Sequence, residues 1–158
     1  MSKAEPKHPD IERILLDQAE IKAKIAEMGR LITSDYRQTR PLLVGILKGS
    51  VLFLSDLMRE IELDCEIDFI SLASYSGMSS GGVVQLLLDL RENISGRDVL
   101  VVEDIVDTGL TLSYLQQNLK TRHPKSLELC TLLDKPDCRK VKIQPKYVGF
   151  KIPKEFVV

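Results

Sequence analysis

The segment between residues 99 and 111 constrains the fold of this chain more than any other part of the sequence. It reads Val-Leu-Val-Val-Glu-Asp-Ile-Val-Asp-Thr-Gly-Leu-Thr, and the part from Val99 to Ile105 is apolar except for Glu103 and Asp104. An apolar run without alternation predicts a parallel strand that is buried on both faces. A short polar loop follows, and leucines at positions 112, 115 and 119 then have the spacing of one face of a helix.

The loop between this strand and this helix has the composition of an anion site. Asp107, Thr108, Gly109 and Thr111 lie where backbone N–H groups and hydroxyls converge at the start of a helix, and the helix dipole adds a positive field. Two carboxylates at the end of the strand would repel a phosphate unless a cation or sugar hydroxyls lay between them. The segment therefore favours a phosphorylated sugar bound with a divalent metal. The alternative is an acidic strand end followed by an ordinary N-cap at Asp107 or Thr108.

Strand and helix patterns alternate along the rest of the chain. One helix is predicted after Asp17, whose capping box is completed by Glu20, and another over residues 51–61 with Ser50 as its N-cap. Strands are predicted over residues 13–16, 42–47, 66–73, 83–88, 127–133 and 146–150, with a flexible loop at 74–82 and a turn at 91–97. This alternation favours an α/β domain with a mainly parallel sheet, whose ligands gather at the carboxyl ends of the strands.

The composition limits the classes of function. A length of 158 residues suits one domain, with residues 1–10 as a loose tail, and a net charge of −1 gives no general attraction to nucleic acid or to an anionic membrane. The sequence carries no apolar run of membrane-spanning length and no signal peptide. Of the three cysteines, Cys65 and Cys130 are predicted to be small core residues and Cys138 to be exposed. We expect a cytoplasmic protein with reduced thiols.

The run Val-Val-Glu-Asp-Ile-Val-Asp-Thr-Gly-Leu-Thr resembles the phosphoribosyl-diphosphate binding motif of type I phosphoribosyltransferases, most closely in the hypoxanthine-guanine branch. The resemblance implies the fold of that family, a mainly parallel central sheet flanked by helices, with a small hood and a flexible lid loop. It also implies a purine salvage reaction. In that reaction the 5-phosphoribosyl group of 5-phosphoribosyl 1-diphosphate passes to hypoxanthine or guanine, giving IMP or GMP and pyrophosphate.

The resemblance assigns roles to the residues of this motif. Glu103 and Asp104 would hold the ribose hydroxyls directly or through Mg²⁺, the expected cofactor. Asp107 would be the general base that takes the N7 proton of the purine. The 5-phosphate would be bound by the amides and hydroxyls of Asp107, Thr108, Gly109, Leu110 and Thr111, although Leu110 stands where relatives are often polar.

Two further segments resemble loops of the family. Lys48-Gly49 resembles the loop that approaches the diphosphate, where family members place a cis peptide before the lysine; an exposed turn lysine is the alternative. Ser74-Tyr75 resembles the Ser-Tyr dipeptide of the mobile lid, which would exclude water from the reacting sugar. An ordinary hairpin loop is the alternative for that dipeptide.

The last part of the chain resembles the purine site. Lys135 matches the lysine that donates to the oxygen at C6 of the purine, which suits 6-oxopurines and disfavours adenine. Phe156 matches the aromatic residue that stacks on the base, and Val157 would supply main-chain contacts. Arg139 matches an arginine that contacts the pyrophosphate, with a solvated arginine as the alternative.

The family pattern continues beyond the position of Val158, with a segment that carries an aspartate for a second Mg²⁺ and helps to form the hood. Compared with that pattern the hood is cut short, so we expect either a shortened chain or a weakened purine site. Two other functions stay open at this point. One is a regulator of the same fold that binds the sugar diphosphate as an effector, and the other is a transferase that prefers xanthine. Family members generally form homodimers or homotetramers.

Overall fold

The computed structural model describes residues 8–75 and 83–157. These residues form three α-helices, six strands and one short 3-10 turn at Pro136–Cys138. In chain order the elements are α1 (Gln18–Asp35), β1 (Leu42–Leu47), α2 (Val51–Arg59), β2 (Glu66–Tyr75), β3 (Val83–Leu88), β4 (Asp98–Val106), α3 (Leu110–Lys120), β5 (Ser126–Asp134) and β6 (Tyr147–Lys151).

The six strands form one sheet in the order β3-β2-β1-β4-β5-β6. Each neighbouring pair is parallel except β2 and β3, which are antiparallel at the edge. The chain passes from β1 through α2 to β2 on one side, and from β4 through α3 to β5 on the other. The strand order therefore reverses between β1 and β4, and ligands of open α/β sheets bind in the crevice at such a point.

Helices cover both faces of the sheet, which explains the continuous apolar run of β4. Successive side chains of a strand point to opposite faces, so Leu100 and Val102 pack in one core cluster with α1 and α2. Val99 and Val101 pack in a second cluster with the leucines of α3. The prediction of a buried parallel strand followed by a helix with its apolar stripe at Leu112, Leu115 and Leu119 is confirmed.

The first helix begins as predicted. The Asp17 side chain accepts a hydrogen bond from the amide of Glu20 at 2.8 Å, and the Glu20 side chain accepts one from the amide of Asp17 at 2.8 Å. The strand predicted over residues 13–16 is wrong, because this segment is irregular chain and the Arg13 guanidinium instead bonds the Glu155 carboxylate at 2.6 and 2.7 Å.

Ser50 precedes α2 as predicted, but its side chain does not cap the helix. The buried Ser50 hydroxyl donates to the carbonyl oxygen of Ile46 at 2.7 Å, across the turn that ends β1. Helix α2 ends at Arg59, and Ile61, the predicted end, packs in the core beyond it. The Ser50 hydroxyl therefore donates to the backbone of this turn, and its oxygen does not accept the hydrogen bond that we expected from a helix amide.

Strand β2 is two residues longer than predicted. Ser74 and Tyr75 pair with Val84 and Val83 of β3, so the predicted loop begins later. The rest of that loop, residues 76–82, lies outside the described residues, as do residues 1–7 of the predicted tail and Val158. The other predicted strands agree with the structure to within one residue at each end.

The three cysteines differ in burial from one another. Cys130 is buried and Cys65 packs against the core, as predicted. The prediction of an exposed Cys138 is wrong, since this residue is half-buried near Asp107.

Within residues 8–75 and 83–157, no helix is long and apolar enough to cross a membrane.

Candidate active site

A cavity of about 260 Å³ opens at the carboxyl end of β4, beside the point where the strand order reverses. Its polar lining comes from Glu103 of β4 and from the residues that follow the strand. Ile46, Leu72 and Leu112 supply apolar walls from β1, β2 and α3. The structure therefore brings together, in one cavity, five residues that the sequence places in the predicted sugar-phosphate site: Glu103, Asp107, Thr108, Gly109 and Thr111.

Gly109 sets the shape of the loop formed by residues 107–111. Its backbone has a φ of 80° and a ψ of −2°, in the left-handed region. A Cβ atom there would also lie 2.7 Å from Cγ2 of Ile143, so the position requires glycine for two reasons. Gly109 is the N-cap of α3, so the alternative of an ordinary N-cap at Asp107 or Thr108 is wrong. The Thr108 hydroxyl accepts a long hydrogen bond, 3.4 Å, from the amide of Leu110. Because Gly109 itself has no side-chain acceptor and the bond to Thr108 is long, amides at the start of α3 can donate to an outside anion.

The side chains of the acidic pair, Glu103 and Asp104, contact different parts of the site. Glu103 lines the cavity, whereas the Asp104 carboxylate lies against the loop after β1, where a Cβ atom at Gly49 would be 2.5 Å from its Oδ2. Burial, and then the neighbouring Asp104 carboxylate, raise the pKa of Glu103 to about 9. Because the Asp104 carboxylate raises the pKa of Glu103, a cation or hydrogen-bond donors bound near both carboxylates would relieve their repulsion.

Mg²⁺ prefers oxygen ligands, and it usually keeps several waters and binds through one or two carboxylates together with phosphates of a substrate. Glu103 and Asp104 fit that pattern. In the described part of the chain, no group of three or more His, Cys, Asp and Glu side chains is placed to hold a metal. The pair would hold Mg²⁺ only with further oxygens from a ligand or from water.

The loop after β1 contains a cis peptide bond between Leu47 and Lys48, as the resemblance predicts. Lys48 and Gly49 are exposed. The amide of Val51 donates to the carbonyl oxygen of Lys48 at 3.2 Å, which closes the turn into α2. The site thus has a cationic side chain next to a glycine, directly beside Asp104.

The segment that connects β5 to β6 packs against loop 107–111. Lys135 is 7% exposed, so the side chain is not the solvated strand-end lysine that is usual. The amide of Lys135 donates to the carbonyl oxygen of Val106 at 2.9 Å. Arg139 donates to the carbonyl oxygens of Val106 and Asp107 and forms an ion pair with Asp134. The solvated alternative for Arg139 is therefore wrong, and its contact with a diphosphate stays a prediction.

Several predicted residues lie apart from the cavity lining. Phe156 is 92% exposed and Leu110 is 47% exposed, while Val157 is half-buried. Ser74 is an exposed residue near the end of β2, two residues beyond Leu72 of the cavity wall. The predicted roles of Phe156, Val157, Ser74 and Tyr75 stay predictions.

The sequence interpretation missed two residues beside the site. Asp134 ends β5 and pairs with Arg139, although a buried carboxylate at a strand end is the same signal that singled out Glu103. Cys138 is the other, and partial burial together with the Asp107 carboxylate raises the pKa of its thiol. No local pattern marks Cys138, because its neighbour lies 31 positions earlier in the chain.

Known proteins share this arrangement of sequence and fold. A family model described as the phosphoribosyl transferase domain matches residues 13–158. The hypoxanthine-guanine phosphoribosyltransferase of Mycobacterium avium is 51% identical over 156 residues, which cover 94% of this chain and 77% of that protein. The hypoxanthine phosphoribosyltransferase of Escherichia coli K12 is 51% identical over 148 residues, covering 92% and 83%. A solved structure of Trypanosoma cruzi hypoxanthine phosphoribosyl transferase superposes with a TM-score of 0.91 at 39% identity, covering 98% of this chain and 85% of that one.

Proposed function

This chain belongs to the phosphoribosyl transferase family, and from that premise we propose that it is a purine salvage enzyme. The reaction transfers the 5-phosphoribosyl group of 5-phosphoribosyl 1-diphosphate to hypoxanthine or guanine, giving IMP or GMP and pyrophosphate. One observation supports this proposal most strongly. Four residues of loop 107–111 (Asp107, Thr108, Gly109 and Thr111) and Glu103 line the same cavity, at the point where the strand order of the sheet reverses.

The sugar-phosphate half of the donor fits this cavity by its chemistry. The amides at the start of α3 and the hydroxyls of Thr108 and Thr111 would bind the 5-phosphate. Glu103 and Asp104 would accept hydrogen bonds from the ribose hydroxyls, and the same pair would hold Mg²⁺. When bound, Mg²⁺ supplies positive charge that offsets the diphosphate.

Different residues would assist proton transfer and the departure of the diphosphate. Asp107 is exposed at the mouth of the cavity and would accept the N7 proton of the purine as the new C–N bond forms. The Lys48 ammonium and the Gly49 backbone would donate to the departing diphosphate. Such donors stabilise charge that grows in the transition state, because they are already in place when the bond breaks.

Recognition of the base would use the last part of the chain. The buried position of Lys135 supports a donor to the C6 oxygen of a 6-oxopurine, because a desolvated cation gains more from an acceptor than a solvated one does. Phe156 would stack on the base and Val157 would contact its edge. The Phe156 residue is 92% exposed, so its ring is free to cover a ligand. Ser74 and Tyr75 would belong to the lid that excludes water.

We further propose that residues 1–158 form a single domain and that the enzyme works in the cytoplasm as a homodimer or homotetramer. The connected sheet supports the first point, since each strand from β1 to β6 pairs with a neighbour in one sheet. The solved structure of the T. cruzi relative is described as concerning the role of the C-terminal region in the oligomeric state and enzymatic activity of that protein.

The assay that tests this function measures pyrophosphate release from the sugar diphosphate with four bases in parallel. We expect turnover with hypoxanthine or guanine, weaker turnover with xanthine and none with adenine, which offers no acceptor at C6. A preference for xanthine would replace the substrate assignment. Tight binding of the donor without turnover of any base would instead indicate a regulator that senses the sugar diphosphate.

A further inference from the structure

The guanidinium group of Arg139 is hydrogen-bonded to the backbone that enters loop 107–111. Its Nη1 donates to the carbonyl oxygen of Val106 at 3.1 Å and to that of Asp107 at 2.5 Å. Its Nη2 forms an ion pair with the Asp134 carboxylate, a side chain that is 7% exposed. The cation is therefore held between a buried carboxylate and two successive carbonyl groups.

The neighbours of Arg139 make the same kind of contact. The amide of Lys135 donates to the carbonyl oxygen of Val106, and the amide of Lys140 donates to that of Thr108, each at 2.9 Å. The three consecutive carbonyls of residues 106, 107 and 108 thus all accept hydrogen bonds from the segment at 135–140. Close packing at Gly109 continues this contact, because a Cβ atom there would meet Val141 and Ile143 as well as Cδ of Arg139.

Because each peptide group is planar, a contact that fixes its carbonyl group also fixes the direction of its N–H group. In a trans peptide the carbonyl oxygen of one residue and the N–H of the next point in opposite directions. Arg139 holds the carbonyls of Val106 and Asp107 and therefore orients the N–H groups of Asp107 and Thr108 away from itself. Those two amides belong to the loop that lines the cavity.

We propose that Arg139, anchored by Asp134, is a positioning residue for the 5-phosphate. It acts by aiming the amides of loop 107–111 rather than by touching the diphosphate. This inference rests on the proposed function, because it concerns a ligand of that same site. The binding of two ligands distinguishes a residue that orients the amides from one that contacts the diphosphate. IMP carries a 5′-phosphate without a diphosphate, whereas 5-phosphoribosyl 1-diphosphate carries both.

The experiment measures dissociation constants for IMP, and for the sugar diphosphate with Mg²⁺, by titration calorimetry. Arg139→Gln should weaken both ligands by a similar factor of about ten to a hundred, the range for loss of hydrogen bonds to a charged group. Arg139→Lys should give a smaller loss, because an ammonium can keep the ion pair with Asp134 but lacks the planar fork. Arg122→Gln is the matched control. It removes a guanidinium that bonds the Asp89 carboxylate at 2.7 and 3.0 Å, and it should leave both constants unchanged.

The number of ligand sites per chain separates positioning from unfolding. A weaker dissociation constant with an unchanged number of sites supports positioning, because the chains that bind are folded. If Arg139→Gln instead lowers the number of sites and Arg139→Lys restores wild-type affinity, the role is structural and the inference fails. Selective weakening of the sugar diphosphate with unchanged IMP affinity would make Arg139 a diphosphate ligand and would also overturn it. If the wild-type chain binds neither ligand, the proposed function fails and this inference with it. Wild-type binding with an unaffected Arg139→Gln variant overturns this inference alone.

Discussion

The backbone of Gly49 lies against the carboxylate of Asp104, so closely that a Cβ atom at residue 49 would be 2.5 Å from Oδ2. The contact joins the loop after β1 to the end of β4, across the reversal in strand order. It places the backbone proposed for the diphosphate next to one of the carboxylates proposed for the ribose.

Gly49→Ala tests the importance of this contact. The added methyl group must displace the Asp104 carboxylate or the loop, and we expect the catalytic efficiency with the sugar diphosphate to fall by about tenfold or more. Gly49 is exposed, so the midpoint of thermal unfolding should change little. Gly96→Asn is the control, because nothing lies within 4 Å of a Cβ atom there and asparagine tolerates its φ of 72°. Wild-type kinetics for Gly49→Ala would show that the close approach is unimportant.

Asp107→Asn tests the proposal that Asp107 is the general base. We expect kcat to fall by about a hundredfold or more, since the amide cannot accept the N7 proton. The dissociation constant of the sugar diphosphate should change by less than about threefold, because the asparagine keeps the shape of the loop. Steady-state kinetics combined with calorimetry measures both quantities. Equal losses in turnover and in binding would leave Asp107 only a structural role in its loop.

Gly109→Ala tests the left-handed turn beneath the proposed phosphate site. The substitution forces a φ of 80° on an alanine and pushes a methyl group to 2.7 Å from Ile143. We expect a loss of about 1 to 2 kcal/mol in the free energy of unfolding from the backbone alone, with weaker IMP binding. Gly109→Ala combined with Ile143→Ala removes the clash but not the strained φ, so it should recover only part of the loss. Full recovery in urea unfolding would assign the whole effect to the clash.

The Tyr147 hydroxyl donates to the Asp35 carboxylate at 2.6 Å, and Lys146 lies 3.1 Å from the same carboxylate. The Tyr147 hydrogen bond, and then Lys146, hold the pKa of Asp35 below its ordinary value of 3.8. A carboxyl group whose pKa is lower in the folded state stabilises the fold above its unfolded pKa, and this contribution is lost as the pH falls through the folded pKa.

Tyr147→Phe should therefore lower the free energy of unfolding by about 0.5 to 1 kcal/mol at pH 7, a modest value because Asp35 is partly exposed. The difference from wild type should shrink on acidification below pH 3.8. Urea unfolding at a series of pH values measures it. Tyr114→Phe is the control, since that side chain is 38% exposed and should show no such dependence. A difference that stays constant down to the acid limit would mean that Asp35 is not the partner that matters.

Local periodicity explains why so much of the architecture could be predicted. The run at β4, the leucine stripe of α3 and the capping box at Asp17 each depend on residues that are neighbours in sequence. The acidic pair and loop 107–111 follow one another within nine positions, so their chemistry could be interpreted before their geometry was known. The two strands whose ends form the site, β1 and β4, were both predicted within one residue at each end.

The errors share a different cause. The strand expected at residues 13–16 is irregular chain held by Glu155, and the Ser50 hydroxyl bonds a carbonyl of the preceding strand instead of the helix. The Arg13 partner lies 142 positions away, whereas the Ser50 partner lies four positions earlier, at the end of β1 rather than in the helix. A side chain with two possible hydrogen-bond partners takes the one that the surrounding fold brings into reach.

Local sequence thus determined most of the strands and helices and singled out the residues that we propose for phosphate and ribose binding. Only the tertiary structure decided that Gly49 touches Asp104, that Lys135 is buried, and that Arg139 is held by Asp134 against the loop it supports. Periodicity records which face of an element is buried, but it holds no information about which distant segment covers that face. Such pairings depend on strand order and on the packing of connections, and these arise only when the whole sheet is assembled.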